Sequence, residues 1–168
     1  MMAITYTEKG VGLHEAINAA GHCLAQVNGV WQSSDDTAVQ AIIDGYTLEQ
    51  AKTLKMREVS LHAKVLRDRA VETVSAGEMA SWPIKRAEAN EHIASGGTAD
   101  CPMLTDEAAA RNITLADLVA RVINNAQTFG SLESSISGTD GRHRDAINAM
   151  TDFAAVASYD YSTGWTES

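Results

Sequence analysis

Two cysteines, two prolines and nine aromatic residues are all that this chain of 168 residues spends on those types. Cys23 and Cys101 stand far apart and in different contexts, so no disulfide framework is implied and a reducing compartment fits. Aromatics make up 5% of the residues while Ala is abundant, a balance that suits close helix packing better than a β-sandwich. Positive charge is also short: 13 basic against 22 acidic residues give −9, which argues against nucleic-acid binding as the main role. No apolar run approaches the roughly 18 residues of a membrane span. The opening MMAITYTEKG lacks an apolar signal core. The expectation is a protein made in the cytoplasm, without nucleic-acid or membrane partners, that leaves only as part of a larger particle.

What is present is helical patterning. Thr47–Ala76 is the longest stretch without Pro or Gly. Thr47-Leu-Glu-Gln50 reads as a capping box, with Gln50 at the third helical position. Leu48, Ala51, Met56, Val59, Ala63, Leu66, Ala70 and Val74 recur at near-helical spacing. One helix of about 30 residues, about 45 Å long, is expected. It holds six of the thirteen basic residues: Lys52, Lys55, Arg57, Lys64, Arg67 and Arg69. Pairs such as Lys55–Glu58, spaced three or four apart, mark a solvated, salt-bridged face. Leu54, Leu61 and Val65 lie off the main stripe, so a second face is a candidate contact with a partner or a second copy.

Residues 1–46 read as a small β-α-β-β-α head. Ile4–Thr7 is a strand candidate, and Leu13, Ala16, Ile17 and Ala20 make a short amphipathic helix ended by Gly21. Asn28-Gly29 marks a hairpin, because both turn positions need positive φ. Asp35 and Asp36 start a helix carrying Val39, Ile42, Ile43 and Tyr46. Residues 77–157 read as a helical hairpin-type body. A break is expected at Ala76-Gly77, a helix start at Ser81-Trp82-Pro83, and a loop over Ala99–Leu104. A short helix is expected from Thr105 to Arg111, and a longer one from Thr114 with a possible kink at Gly130. Gly138 and Gly141 should separate a last helix carrying Ile147, Met150, Phe153, Ala154 and Ala157. Residues 158–168 form a polar-aromatic tail that either frays or docks Tyr159, Tyr161 and Trp165 onto a surface; docking on a neighbour is the expectation. The fold class expected is mainly α: the small head, a long connecting helix over 47–76, and the helical body.

Chemistry is hard to find. Lys9-Gly-Val-Gly12 lacks the ending of a phosphate loop. His14 and His22, with Glu15 and Cys23 adjacent, do not match metal-ligand spacing. Trp82, Lys85, Glu88 and His92 share a stripe, but Glu–His at i, i+4 is usually a surface pair and Trp82 a packing anchor worth about 3–5 kcal/mol. Arg142-His143-Arg144 reads as a helix-start charge cluster. No catalytic, cofactor or metal residue is assigned, and no enzyme is expected.

Trp82-Pro-Ile-Lys-Arg-Ala-Glu-Ala89, Pro102-Met-Leu104, Ala110-Arg-Asn-Ile-Thr114 and Leu118-Val-Ala-Arg-Val-Ile123 occur in a familiar order. So do Asn28-Gly-Val-Trp31 and Asp35–Tyr46 upstream. The chain resembles tail and tail-fibre-associated proteins of tailed bacteriophages that carry a C-terminal helical domain. Where many relatives have Gly after the Arg, this chain has Asn112, which also tolerates the left-handed conformation. The resemblance implies a non-enzymatic structural or adaptor protein of the virion tail, linking tail-fibre or baseplate proteins, without cofactors and forming homo-oligomers. Alternatives are a fibre-assembly chaperone that leaves the particle, and a small soluble enzyme with no visible site. Trp82, Tyr159, Tyr161 and Trp165 join Leu54, Leu61 and Val65 as candidate partner contacts.

Overall fold

A computed structural model describes residues 4–166. The fold is mainly helical: the described residues form seven helices and a two-stranded antiparallel sheet near the N-terminus. The order is α1 (Val11–Ala19), β1 (Leu24–Val27), β2 (Val30–Ser33), α2 (Asp36–Gly45), α3 (Leu48–Ala70), α4 (Ala76–Ala94), α5 (Pro102–Ala110), α6 (Leu115–Asn148) and α7 (Phe153–Ser158). The chain divides into two compact units. One comprises the chain up to Val65 together with Gly138–Trp165; the other comprises Leu66–Ser137 and Thr166. Helices α3 and α6 each contribute residues to both units.

In the first unit the hairpin forms as its turn chemistry requires. Asn28 and Gly29 take φ 51° and 81°, and Val27 pairs with Val30 across them. Asp35 caps α2, accepting from the Thr37 and Ala38 N–H groups. The Thr47–Gln50 box is reciprocal: the Gln50 carboxamide oxygen accepts from Thr47 N–H at 2.7 Å, and Thr47 Oγ1 accepts from Gln50 N–H at 3.3 Å. Leu13 and Ile17 of α1, Val39 and Ile43 of α2, and Val156 of α7 are fully buried around one core. Lys9 is partly buried. Its ammonium donates to the Ile43 and Tyr46 carbonyls at 2.6 and 2.8 Å, closing the C-terminal end of α2.

Ile4–Thr7 is not a strand. Its pairing partner is a side chain: the Gln40 carboxamide accepts from Thr5 N–H at 2.8 Å and donates to Thr5 C=O at 3.3 Å. Tyr6 stacks on Trp31, ring centroids 4.1 Å apart. One glutamine satisfies the backbone that a neighbouring strand would otherwise satisfy.

The helix expected over Thr47–Ala76 stops at Ala70. Val71, Thr73 and Val74 are β-branched and poor at continuing a helix. They enter i→i+3 turns instead, and Ser75 caps α4 by accepting from Glu78 N–H at 3.1 Å. The expected break at Ala76-Gly77 is therefore the first turn of α4. Ser81 does not cap. Its hydroxyl donates back to the Glu78 carbonyl, and Pro83 lies inside the helix on an exposed position. The loop expected over Ala99–Leu104 is shorter, because α5 starts at Pro102, in the first turn where a missing N–H costs nothing. Glu88 of α4 supplies the cap, its carboxylate accepting from the Met103 and Leu104 N–H groups at 3.2 and 2.9 Å. Asn112 takes φ 52°, the conformation that glycine would also adopt there.

Helix α6 runs 34 residues, about 51 Å, straight through Gly130, Gly138 and Gly141. It opens at a Thr114 cap, with Asp117 N–H donating to Thr114 Oγ1. The expected separation at Gly138 and Gly141 does not occur. Ile136, Thr139, His143 and Ile147 form a buried stripe across these glycines, and burial outweighs the roughly 1 kcal/mol that each glycine costs. Arg142-His143-Arg144 accordingly sits inside a helix rather than at a start. The break falls later, after Asn148, and Asp152 caps the short α7 through Ala155 N–H. In the second unit Ala89, Cys101, Leu104, Ala108, Leu118 and Val119 make the core.

Candidate partner-binding site

The tail aromatics dock on their own chain. His143, 3% exposed, faces the tail with both ring nitrogens: Nδ1 lies 2.8 Å from Tyr159 Oη and Nε2 lies 3.0 Å from the Thr163 carbonyl. A carbonyl only accepts, so Nε2 carries the proton. Trp165 stacks on His143, packs against His62 at 5.0 Å, and donates its indole N–H to Tyr161 O at 2.6 Å. Thr139 donates to Gly164 O, and Lys55 sits over the Tyr161 ring. Tyr159, Tyr161 and Trp165 thus form an internal strap over α3 and α6 within the first unit. Leu54 is partly buried and lines a shallow groove of about 480 Å³ with Gly12 and Tyr46. Leu61 and Val65 are 52% and 53% exposed, four residues apart on one face of α3.

Trp82 belongs to a larger feature inside the second unit. A half-open groove of about 900 Å³ runs between α4 and α6, closed at one end by α5. Its floor is apolar: Met79 and Trp82 from α4, with Leu118, Val122, Ala126 and Phe129 from α6. The Trp82 and Phe129 rings meet edge to face, centroids 5.5 Å apart. Phe129 remains 40% exposed, and Trp82 is only partly buried. Lys85, Arg86, Arg111 and Arg121 stand around this floor. Lys85 and Arg111 are bound to Glu107 at 2.7 and 2.9 Å. Arg86 and Arg121 make no ion pair or hydrogen bond among the described residues. Val122, Ala126 and Phe129 follow Leu118 at helical spacing, the pattern of a core-facing stripe. Only the tertiary structure shows that this end of the stripe is uncovered.

Two carboxylates in this unit are held below the usual Glu range. Glu107 is lowered chiefly by the hydrogen bond from Lys85, against an opposing burial effect and with help from Arg111. Glu133 is lowered chiefly by Arg67, whose Nε and Nη2 grip it at 2.7–3.0 Å, and then by Ser137. The folded state releases these protons more readily than the unfolded state. Their contribution is therefore complete above the unfolded value of about 4.3 and is lost as pH falls through the lowered folded values. Replacing Glu133 by Gln should lower the melting temperature at about pH 6, and the gap from wild type should narrow as the pH falls below the usual Glu range. A gap that did not change with pH would remove the ion pair as its cause.

Elsewhere the groups that invited chemical readings are engaged locally. Glu88 caps α5, and its neighbour His92 keeps a buried Nδ1 without a partner. His14 Nε2 meets Tyr6 Oη at 3.2 Å, and His22 Nδ1 meets Ser34 Oγ at 3.4 Å. Burial pushes the Tyr6 hydroxyl up to about 12, with Glu8 adding to the effect. Burial likewise raises the Cys101 thiol, with Glu88, Glu91 and Asp100 next. Among the described residues no three His, Cys, Asp or Glu side chains are grouped to hold a metal ion, and no helix is long and apolar enough to cross a membrane. Comparison of the chain with protein-family models, with curated proteins and with solved structures gives no match.

Proposed function

We propose that this chain is a non-enzymatic adaptor of a bacteriophage tail, attaching tail-fibre or baseplate proteins through the groove of its second unit. The observation that carries this reading is a coincidence of position. Trp82–Ala89 and Leu118–Ile123, two of the segments that resemble phage tail proteins, supply opposite walls of that groove. The groove is apolar in its floor, half-open, and edged by two arginines whose side chains have no partner among the described residues. Uncovered apolar surface of this kind, rimmed by polar groups, marks interaction sites. The half-exposed Leu61 and Val65 favour self-association through α3. On this reading the protein is made in the host cytoplasm and retained in the virion.

Mass spectrometry of purified particles of the encoding phage, beside the unassembled fibre fraction, tests the proposal. The chain is expected in particles in fixed ratio to tail proteins. Recovery only with unassembled fibre would replace the adaptor by an assembly chaperone. Absence from both fractions would overturn both.

A further inference from the structure

We infer that the groove of the second unit takes an acidic amphipathic α-helix of about three turns from its partner. The inference rests on the groove being a partner site, as proposed above. Three observations select this occupant.

The first is length. On α4 the lining runs from Glu78 to Asn90, and on α6 from Leu118 to Gly130. Each span is thirteen residues of helix, about 18 Å from the first to the last, so a guest helix of about twelve residues matches the walls. The second is backbone chemistry. Both long walls are helices, whose N–H and C=O groups are paired within themselves apart from the Met79 carbonyl, to which Pro83 has no N–H to donate. An extended peptide laid between them would find no sheet edge, and its own backbone groups would be desolvated without partners. A helix arrives with its backbone satisfied and needs only an apolar stripe, read as i, i+3, i+4 and i+7 anchors over Trp82, Val122 and Phe129.

The third is charge. The molecule as a whole carries −9, yet the groove gathers four cations against Glu78 and Glu107. Glu107 already neutralises part of Lys85 and Arg111, which leaves Arg86 on the α4 wall and Arg121 on the α6 wall without carboxylate partners among the described residues. A guest with Glu or Asp on both flanks of its apolar stripe would complete each arginine by a charge-assisted bond. A basic guest would meet like charge on both sides.

The test uses the full-length chain and a displayed library of roughly 14-residue helices. Every member has apolar residues at i, i+3, i+4 and i+7, and its flanking positions are drawn from Glu, Gln and Lys. Selection is expected to enrich Glu on the flanks. The enriched peptides, made synthetically, should lose about tenfold or more in affinity against the Arg86→Glu, Arg121→Glu double variant, and a similar amount against Ala126→Trp, which fills the floor. A central Pro in the peptide should abolish binding. Unchanged melting temperatures would certify both variants as folded; if either is unfolded, Arg86→Gln with Arg121→Gln carries the same test. No enrichment, enrichment of Lys or of no flank charge, or affinity indifferent to the arginines overturns the inference. Dodecanoate binding in the groove with no helix enriched would assign it to acyl chains instead, and also overturns it. The chain found in particles while no helix is enriched sinks the occupant and spares the adaptor. Enrichment of acidic helices by a chain absent from particles does the reverse.

Discussion

Deleting residues 159–168 is expected to destabilise the protein by about 3–5 kcal/mol, or roughly 10 °C in melting temperature. The deletion removes both partners of His143 at once, Tyr159 Oη and the Thr163 carbonyl. The imidazole is nearly fully buried, and orphaned buried polar groups cost about 1–3 kcal/mol. The deletion also uncovers the side of His62 and His143 on which Trp165 lies, and frees Thr139 Oγ1. Thermal unfolding followed by circular dichroism reads the effect. Replacing His143 by Leu in the shortened chain should recover part of the loss, because an apolar group tolerates burial without a partner. A deletion that left the melting temperature unchanged would show that the strap contributes nothing to folding and is free to serve a partner.

The second large effect concerns the other unit and reverses an expectation drawn from sequence. Trp82 looked like the anchor of the helical body, worth about 3–5 kcal/mol on truncation. Its ring lies in the open groove, touching Phe129 on one side and solvent on the other. Leu104 is the better anchor. It is fully buried among Ala89, Cys101, Leu118 and Val119, and its N–H is one of the two held by Glu88. Leu104→Ala should cost about 2–5 kcal/mol, and Trp82→Ala about 1–2. The two single variants, melted under the same conditions, should therefore rank Leu104 first. The opposite order would mean that Trp82 is packed more deeply than its exposure indicates, and would take the floor away from the groove.

Much of the fold was legible because its signals are local. The Asn28-Gly29 hairpin, the Thr47 capping box, the Asp35 cap and the left-handed turn at Asn112 each depend on residues within three or four positions. The misreadings share the opposite property. Glu88 caps a helix that begins fourteen residues later, Gln40 completes a backbone 35 residues earlier, and Ile136, Thr139, His143 and Ile147 carry α6 through Gly138 and Gly141 by burial. None of these partners can be inferred from spacing. The same applies to the groove. Trp82 and the Leu118–Ile123 segment both stand out in the sequence, but an apolar face looks alike there whether a neighbour covers it or not.

The uncovered part of α6 has a thermodynamic consequence. Gln127, Thr128, Phe129, Gly130 and Ser131 are exposed in succession, and a methyl added at Gly130 would meet nothing within 4 Å. This is a turn with little burial to hold it beyond the Trp82–Phe129 ring contact, and it carries the residue that most favours the coil. Elsewhere burial locks the helix on either side, at Leu118 and Val119 and again from Ile136 onward. The population of locally opened molecules should therefore be concentrated in this one turn, in the middle of a helix rather than at its ends. Because that turn presents Phe129, anything seated on the ring would lower the opening population. Occupancy and local helix order are thereby linked quantities, each measurable through the other.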